Sequence, residues 1–141
     1  MTIQEVHKEI VDKFKEFESW EDRYAYIIKL GKELKPLSDE YKSAKYKIEG
    51  CQSQVWMNSK IEDGRMFIEA DSDAMIVKGL IAILIWAYSG FTPKEILSSP
   101  PDFLRDIGID NHLSITRKNG LGAMLKQIQL YAIAFQRLSK T

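Results

Sequence analysis

The sequence is poor in the residues that build metal and redox sites. Its 141 residues include one cysteine, Cys51, and two histidines, His7 and His112. A single thiol cannot close an internal disulfide, and it cannot supply the several thiolate or imidazole ligands of a zinc or iron–sulfur site. The HExxH, CxxC and GxSxG motifs and a glycine-rich phosphate loop are also missing. We therefore predict no resident metal or cofactor, and any chemistry of Cys51 must be directed at a partner molecule.

The sequence also lacks an excess of charge and a long apolar run. Lys+Arg and Asp+Glu both total 20, so no net field attracts nucleic acid or an anionic membrane. The longest apolar run, residues 79–88, is too short to span a bilayer. The N-terminus has no apolar core of the signal-peptide type. We predict a cytoplasmic protein with no nucleic-acid and no membrane partner, in a compartment where a lone thiol stays reduced.

The order of periodic segments predicts an α+β fold in a single domain over residues 1–141. Apolar residues at three- and four-residue steps indicate two amphipathic helices within the first 35 residues, and Ser19 is the predicted cap of the second one. Strands are predicted next, at about residues 45–49, 54–61 and 65–70. Four helices follow the strands. The prediction is a small antiparallel sheet of about three strands covered by helices.

Turn and capping signals mark where these elements meet. Glu62-Asp63-Gly64 indicates a hairpin turn, because glycine supplies the positive φ that such a turn needs. Thr92-Pro93-Lys94-Glu95 is a capping box with proline at the first helical position. Ser114 is the predicted cap of the last helix. The apolar and therefore central helix over residues 74–86 is preceded by three candidate caps, Asp71, Ser72 and Asp73.

Two glycines near the start of the last predicted helix are unexpected there. Gly120 and Gly122 each cost about 1 kcal/mol relative to alanine in a helix interior. Such a cost often marks the close approach of another backbone. An ordinary Asn119-Gly120 turn is the other explanation.

Cys51 has two possible roles. Free cysteines are usually buried and act as small apolar side chains in the core. A core cysteine normally lies on an apolar stripe, however, whereas Cys51 lies between Gly50 and the polar run Gln52-Ser53-Gln54. That composition is typical of a turn or exposed loop, and loops on a rigid scaffold often carry reactive groups.

The two histidines do not point to catalysis. A papain-type hydrolase would need His7 or His112 in contact with Cys51, with a third group to orient the imidazole. His7 borders the apolar face of the first helix, where a half-exposed structural role is the commoner one. His112 precedes a helix, where a structural hydrogen bond is the commoner use.

Three stretches of the sequence together resemble the SufE family of sulfur acceptors, which includes the CsdE proteins. They are Gly50-Cys51-Gln52-Ser53-Gln54-Val55-Trp56; Ala70-Asp71-Ser72-Asp73-Ala74 continuing to Ala82; and His112-Leu113-Ser114 continuing through Arg117, Asn119-Gly120-Leu121 and Met124. The resemblance covers nearly the whole chain. It departs at Ile115, where the family motif His-Leu-Ser-Pro has proline.

The resemblance implies a function and a fold. SufE-like proteins accept a persulfide sulfur from a cysteine desulfurase (SufS-like), stimulate that enzyme, and deliver the sulfur to an iron–sulfur assembly complex (SufBCD-like). The sulfur is carried on the family cysteine, here Cys51, and the carrier is not an enzyme on its own. The implied fold is α+β and similar to the iron–sulfur scaffolds of the NifU/IscU type, without their three cluster-binding cysteines.

The remaining candidate site residues surround Cys51 in the motifs. Gln52, Ser53 and Gln54 are predicted to donate hydrogen bonds that shape the loop. Arg117 is predicted, from its motif position, to lie near the thiol and favour its anionic form. Asp73 is a helix-cap candidate first and a candidate for a docking surface second.

Two other functions stay open at this point. The chain could be a binding module that regulates a partner without any chemistry at Cys51. An iron–sulfur scaffold is disfavoured by the single cysteine.

Overall fold

The computed structural model describes residues 1–138, apart from the side chain of Asp110. The elements follow one another as two helices, a hairpin and a second group of helices, which is the predicted α+β order. They are α1 (Ile3–Lys15), α2 (Trp20–Lys32), β1 (Val55–Glu62), β2 (Arg65–Ser72), α3 (Met75–Tyr88), α4 (Pro93–Leu97), α5 (Asp102–Asp106), α6 (Ile109–His112) and α7 (Ile115–Leu138). A short 3₁₀ turn, Asp39–Tyr41, lies in the connection between α2 and β1.

The first two helices begin at side-chain caps. The Thr2 hydroxyl accepts from the Glu5 amide while the Glu5 carboxylate accepts from the Thr2 amide, a complete capping box. The Ser19 hydroxyl accepts from the Asp22 amide at the start of α2. The predicted cap at Ser19 and both predicted helices are confirmed.

Helix α3 is the central helix of the fold, as its nearly continuous apolar sequence predicts. It crosses α2 so closely that only glycine fits at the contact. A Cβ atom on Gly31 would lie 2.7 Å from the backbone nitrogen of Gly79, and a Cβ on Gly79 would collide with the carbonyl oxygen of Ile27. The two glycines therefore bring the two helix backbones into direct contact.

The sheet is an antiparallel hairpin of β1 and β2, paired from Val55 with Ser72 to Glu62 with Arg65. Asp63 and Gly64 both have positive φ, 52° and 77°, which produces the tight turn predicted at this position. Buried side chains on one face of the hairpin join the core, among them Met57, Met66, Ile68 and Ala70. The small antiparallel sheet is thus confirmed.

The predicted third strand at residues 45–49 is reduced to a single β-bridge between Lys47 and Trp56. Two backbone hydrogen bonds hold it, from the Ile48 amide to the Val55 oxygen at 2.8 Å and from the Met57 amide to the Tyr46 oxygen at 3.0 Å. The chain then turns away at Gly50, whose φ is +91°. Pairing stops there, so the sheet of residues 1–138 has two strands.

The predicted caps of α3 are wrong. β2 continues through Ser72 instead of ending at Ala70, and the N-cap of α3 is Ala74, which makes no side-chain cap bond. Asp71 is buried in the strand, and its carboxylate accepts from the Leu37 amide. The side chains of Asp71 and Asp73 bind amides that are distant in sequence, and the Ser72 hydroxyl accepts from the Ala74 amide, so none of the three caps α3.

Helix α7 closes the other side of the core. The Ser114 hydroxyl accepts from the Arg117 amide at 3.2 Å, which confirms Ser114 as the cap. The Tyr131 hydroxyl donates to the Met57 oxygen at 3.0 Å and links α7 to β1. The inner face of α7 is formed by Leu121, Met124, Ile128 and Ala132. Among residues 1–138, no helix combines the length and the apolar character that crossing a bilayer requires.

Candidate functional site

Cys51 lies on the loop between the Lys47 bridge and β1, and its side chain turns inward. The positive φ of Gly50 reverses the chain just before it. The Sγ–H group donates to the carbonyl oxygen of Gly120 in α7, with 3.7 Å between sulfur and oxygen. The side chain is half-buried and packs against the core. The thiol is therefore held at rest against a helix that is distant in sequence.

A cavity of about 70 Å³ adjoins the thiol. Its inner wall is apolar and comes from α3 and α7, while loop and helix residues form its outer part. The lining residues beside Cys51 are Gln52, Ser53, Val55, Val77, Leu80, Thr116, Arg117, Gly120, Leu121 and Met124. The setting is a sheltered thiol near the surface, with room beside it.

Burial raises the pKa of the Cys51 thiol above its ordinary value, and the negative charge of Glu49 raises the pKa further. Both effects disfavour the thiolate, because a charge loses solvation on burial and a neighbouring anion repels it. The thiol is consequently protonated at neutral pH in this conformation. Because the thiolate is the nucleophilic form of cysteine, the Cys51 side chain is weakly reactive in this conformation.

Gln54 and Asp73 clip the end of the loop to the start of α3. The Gln54 amide donates to the Asp73 carboxylate at 3.0 Å, and the Asp73 amide donates to the Gln54 carbonyl oxygen at 3.3 Å. Two reciprocal bonds fix the point where the Cys51 loop becomes β1. The carboxylate of Asp73 thus holds the loop instead of capping the helix.

The predicted site residues converge in two neighbouring groups. Cys51, Gln52, Ser53 and Arg117 line the cavity, although Arg117 is exposed at its rim. Gln54 belongs to the clip with Asp73. The loop is shaped by backbone groups, because the side chains of Gln52, Ser53 and Gln54 make no hydrogen bond within the part of the chain that the structure describes.

Neither histidine lies in the cavity of Cys51. His7 is held by the Ala87 oxygen at 3.1 Å and by ring contacts with Tyr88 and Phe103, and burial lowers its pKa. His112 contacts the Gly108 oxygen at 2.9 Å and stacks on Trp20. The structural roles predicted for both histidines are confirmed, and the papain-type arrangement is absent from this site.

Two residues of the site were not predicted as such, Glu49 and Gly120. Glu49 lies two positions before the thiol, so its charge could have been read from the sequence. The sequence predicts a costly helix glycine at Gly120, and the structure places it in the second turn of α7, within an unbroken helix. Its neighbour is the side chain of Cys51 and not another backbone, which no local pattern reveals. Residues 1–138 contain no cluster of histidine, cysteine and acidic side chains fit to hold a metal ion.

Comparison with known proteins agrees with the geometry of the site. The SufE family, described as an Fe-S metabolism associated domain, matches residues 8–132 of the chain. The chain belongs to the SufE family. The match spans the Cys51 loop, the hairpin, α3 and most of α7, so every element that lines the cavity lies within it. The resemblance read from the three motifs is confirmed.

SufE-like relatives match this chain along most of its length. An uncharacterized SufE-like protein of Synechocystis sp. is 41% identical over 127 residues, which are 90% of this chain and 80% of that protein. An uncharacterized SufE-like protein of Rhizobium etli is 41% identical over 126 residues, covering 86% and 85% of the two chains.

A solved structure shares the overall fold of this chain. The solution structure of a hypothetical protein from Thermus thermophilus superimposes with a TM-score of 0.77 over 92% of this chain and 94% of that one. The two sequences are 21% identical, so the likeness concerns the fold alone. The α+β architecture is confirmed, and the family ties the chain to Fe–S metabolism.

Proposed function

We propose that this protein is a sulfur carrier that accepts persulfide sulfur on Cys51 from a cysteine desulfurase, stimulates that enzyme and delivers the sulfur to an iron–sulfur assembly complex in the cytoplasm. Membership of a family associated with Fe–S metabolism supports this role. The observation that carries the proposal is the setting of Cys51. It is the only thiol of the chain, it lies on a surface loop, and it is sheltered by a cavity that a second sulfur can enter.

The transfer is a thiol exchange that needs no oxidant. The Cys51 thiolate attacks the outer sulfur of the donor persulfide, a new S–S bond forms, and the donor S–S bond breaks. The electron pair of the broken bond goes to the donor cysteine, which takes up the proton that Cys51 lost. The products are a Cys51 persulfide and a free donor thiol. The absence of a second cysteine favours a carrier, because a neighbouring thiol would displace the sulfur by forming a disulfide.

The resting position of Cys51 implies a movement on docking. At rest the thiol is protonated and hydrogen-bonded to the Gly120 oxygen. It must therefore leave this position and lose its proton before it attacks the donor persulfide. Gly50 and the Gln54–Asp73 clip bound the segment that would swing outward. A desulfurase that covers the cavity mouth would contact Gln52 and Arg117, which line the cavity and are exposed, and could reach the exposed Asp73 at the other end of the loop.

Mass spectrometry tests the carrier function directly. After incubation with a SufS-like desulfurase and cysteine, we expect the peptide containing Cys51 to gain the mass of one sulfur atom. The Cys51→Ser variant should gain nothing while still binding the desulfurase in a pull-down. A wild-type peptide that stays unmodified under turnover conditions would refute the proposal.

Alkylation tests the movement. Iodoacetamide should label Cys51 slowly in the isolated protein and faster once the desulfurase is added. Equal labelling rates with and without the desulfurase would show that docking does not release the thiol.

The alternative is a binding module that regulates a partner without chemistry at Cys51. The raised pKa and half-buried position of the thiol favour it, since a purely structural cysteine has the same properties. The Cys51→Ser variant separates the two functions. The module would keep its full effect on the partner, whereas the carrier would lose all sulfur acceptance.

A further inference from the structure

Gly120 is a glycine that neither the backbone nor the resting packing explains. It lies inside α7, where alanine is the better helix former, and its φ is not in the left-handed region. A Cβ built on it would lie 3.6 Å from Sγ and 4.0 Å from Cβ of Cys51, which is ordinary van der Waals contact. Apart from the backbone of its own helix and its chain neighbours, those two atoms are the only ones within 4 Å among the described residues, so the resting structure would accept alanine.

The other buried helix glycines have an evident cause. Gly31 and Gly79 are glycines because a Cβ on either would meet backbone atoms of the neighbouring helix. At Gly120 the two described atoms in reach outside its own helix are Sγ and Cβ of Cys51, the residue that the proposed function modifies. The missing side chain therefore leaves space for an atom that is not part of the reduced protein.

We propose that Gly120 is a positioning residue that leaves room for the outer sulfur of the Cys51 persulfide, an inference that rests on the proposed function. The outer sulfur would be bonded at about 2 Å from Sγ. It cannot point straight at the Gly120 oxygen, because only 3.7 Å separates that oxygen from Sγ. To stay sheltered, it has to turn into the adjoining cavity, which Gly120 also lines.

The cavity has the size and the lining for this atom. Its volume of about 70 Å³ exceeds the roughly 10–15 Å³ at which a cavity first holds a water-sized group. Val77, Leu80, Leu121 and Met124 supply apolar walls on the inner side. An outer sulfur turned inward is shielded from external thiols, which remove it by forming their own persulfide and releasing the Cys51 thiol.

A methyl group at position 120 would take the place next to Sγ and force the outer sulfur toward solvent. Gly120→Ala should therefore fold normally, bind the desulfurase and become loaded, but lose its sulfur faster to an external thiol. Overpacking by one methyl group typically lowers the population of a buried state by about tenfold. We expect sulfur loss to be about tenfold faster than in the wild type.

The experiment loads each protein with a SufS-like desulfurase and cysteine, removes the desulfurase, adds glutathione and follows the sulfur-bearing peptide by mass spectrometry. Gly122→Ala is the matched control, because Gly122 lies in the same helix and a Cβ there meets nothing within 4 Å. It should lose sulfur at the wild-type rate. Adding Val77→Ala to Gly120→Ala enlarges the cavity again and should slow the loss.

The outcomes separate this inference from the function on which it rests. If the wild type takes up no sulfur, the carrier function fails and the inference falls with it. If the wild type is loaded and Gly120→Ala keeps its sulfur equally long, the function stands and the inference is wrong. Unfolding of Gly120→Ala in circular dichroism would also overturn it, since it would show that resting packing already requires glycine.

Discussion

At the scale of single residues, the chemistry depends on the surroundings of one sulfur atom. Burial and Glu49 raise the pKa of Cys51, and the Gly120 oxygen accepts a hydrogen bond from the thiol. All three favour the thiol over the thiolate, which protects the group from oxidation when no partner is bound, because oxidation follows thiolate character and exposure. The site thus keeps its reactive atom in the less reactive protonation state.

Glu49→Gln is expected to make the resting thiol more acidic. Removing the negative charge removes the smaller of the two causes that raise the pKa of Cys51, so the pKa falls toward its ordinary value but stays above it because burial remains. The rate of iodoacetamide labelling, measured from pH 7 to pH 11, should rise at lower pH in the variant than in the wild type.

Glu62→Gln is the control for that titration. Glu62 is an exposed glutamate at the far end of β1, and it is not among the groups that perturb Cys51. Its replacement should leave the labelling profile unchanged. A Glu49→Gln profile that coincides with the wild type would show that Glu49 does not act on the thiol.

At the scale of elements, close packing of α2 against α3 positions the central helix on which the cavity wall depends. Val77 and Leu80 of α3 line the cavity, and Gly79 lies between them against α2. Within one turn, α3 therefore contacts α2 through Gly79 and lines the thiol cavity through Val77 and Leu80. A change in the distance between α2 and α3 would therefore change the cavity wall beside Cys51.

Gly79→Ala is expected to destabilise the protein. The new methyl group would collide with the carbonyl oxygen of Ile27, and a backbone atom cannot move aside as a flexible side chain can. Overpacking of this kind costs about 1–3 kcal/mol in the free energy of unfolding, or more. Urea denaturation followed by circular dichroism measures the change.

The matched control for Gly79→Ala is again Gly122, where a new Cβ would meet no described residue outside its own helix within 4 Å. Gly122→Ala should raise the free energy of unfolding by up to about 1 kcal/mol, because only helix propensity changes at this exposed position. Equal stability of Gly79→Ala and the wild type would mean that the two helices can separate without cost.

At the scale of the whole molecule, Asp71 joins parts of the chain that are far apart in sequence. Its buried carboxylate accepts from the Leu37 amide and pairs with Lys42 at 3.4 Å and with Lys78 of α3 at 3.7 Å. The connection after α2, the strand β2 and the helix α3 meet at this one group. Asp71 thereby fixes the end of β2, two residues before Asp73 and its bonds to Gln54.

Asp71→Asn is expected to lower the free energy of unfolding at pH 7 by about 1–3 kcal/mol, since it removes the charge that the two lysines and two amides bind. Burial alone would raise the pKa of Asp71, but the bonds from the Ser72 and Leu37 amides and the charges of Lys78 and Lys42 outweigh burial and lower it. The stabilisation is therefore present above the unfolded pKa near about 3.9 and is lost as the pH falls through the folded pKa.

Urea denaturation at pH 7 and at successively lower pH measures this dependence. The stability difference between the wild type and Asp71→Asn should shrink as the pH falls below about 4. Asp39→Asn is the control, because Asp39 also lies near Lys42, at 3.9 Å, but is fully exposed. A difference that is the same at every pH would mean that the Asp71 charge does not act in folding.

Much of this fold and part of its site follow from local patterns. The helices were predicted from apolar periodicity and from caps such as Ser19, Thr92 and Ser114. The hairpin turn was predicted from its residue types, Asp63-Gly64. The segment at 45–49 and the caps before α3 could not be read correctly, because tertiary hydrogen bonds compete there with local preference. Asp73 illustrates this, since its carboxylate binds the Gln54 amide across the fold.

The family, the single thiol and the loop that carries it can be predicted from the order of residues alone, because they depend on residue identity and on neighbours along the chain. Three features of the site require the folded chain: the contact of Cys51 with Gly120, the burial that together with Glu49 keeps the thiol protonated, and the cavity that α3 and α7 leave beside it. Those features arise from contacts between residues up to 69 positions apart. Distance in space, unlike order in the chain, is set only when the whole core packs.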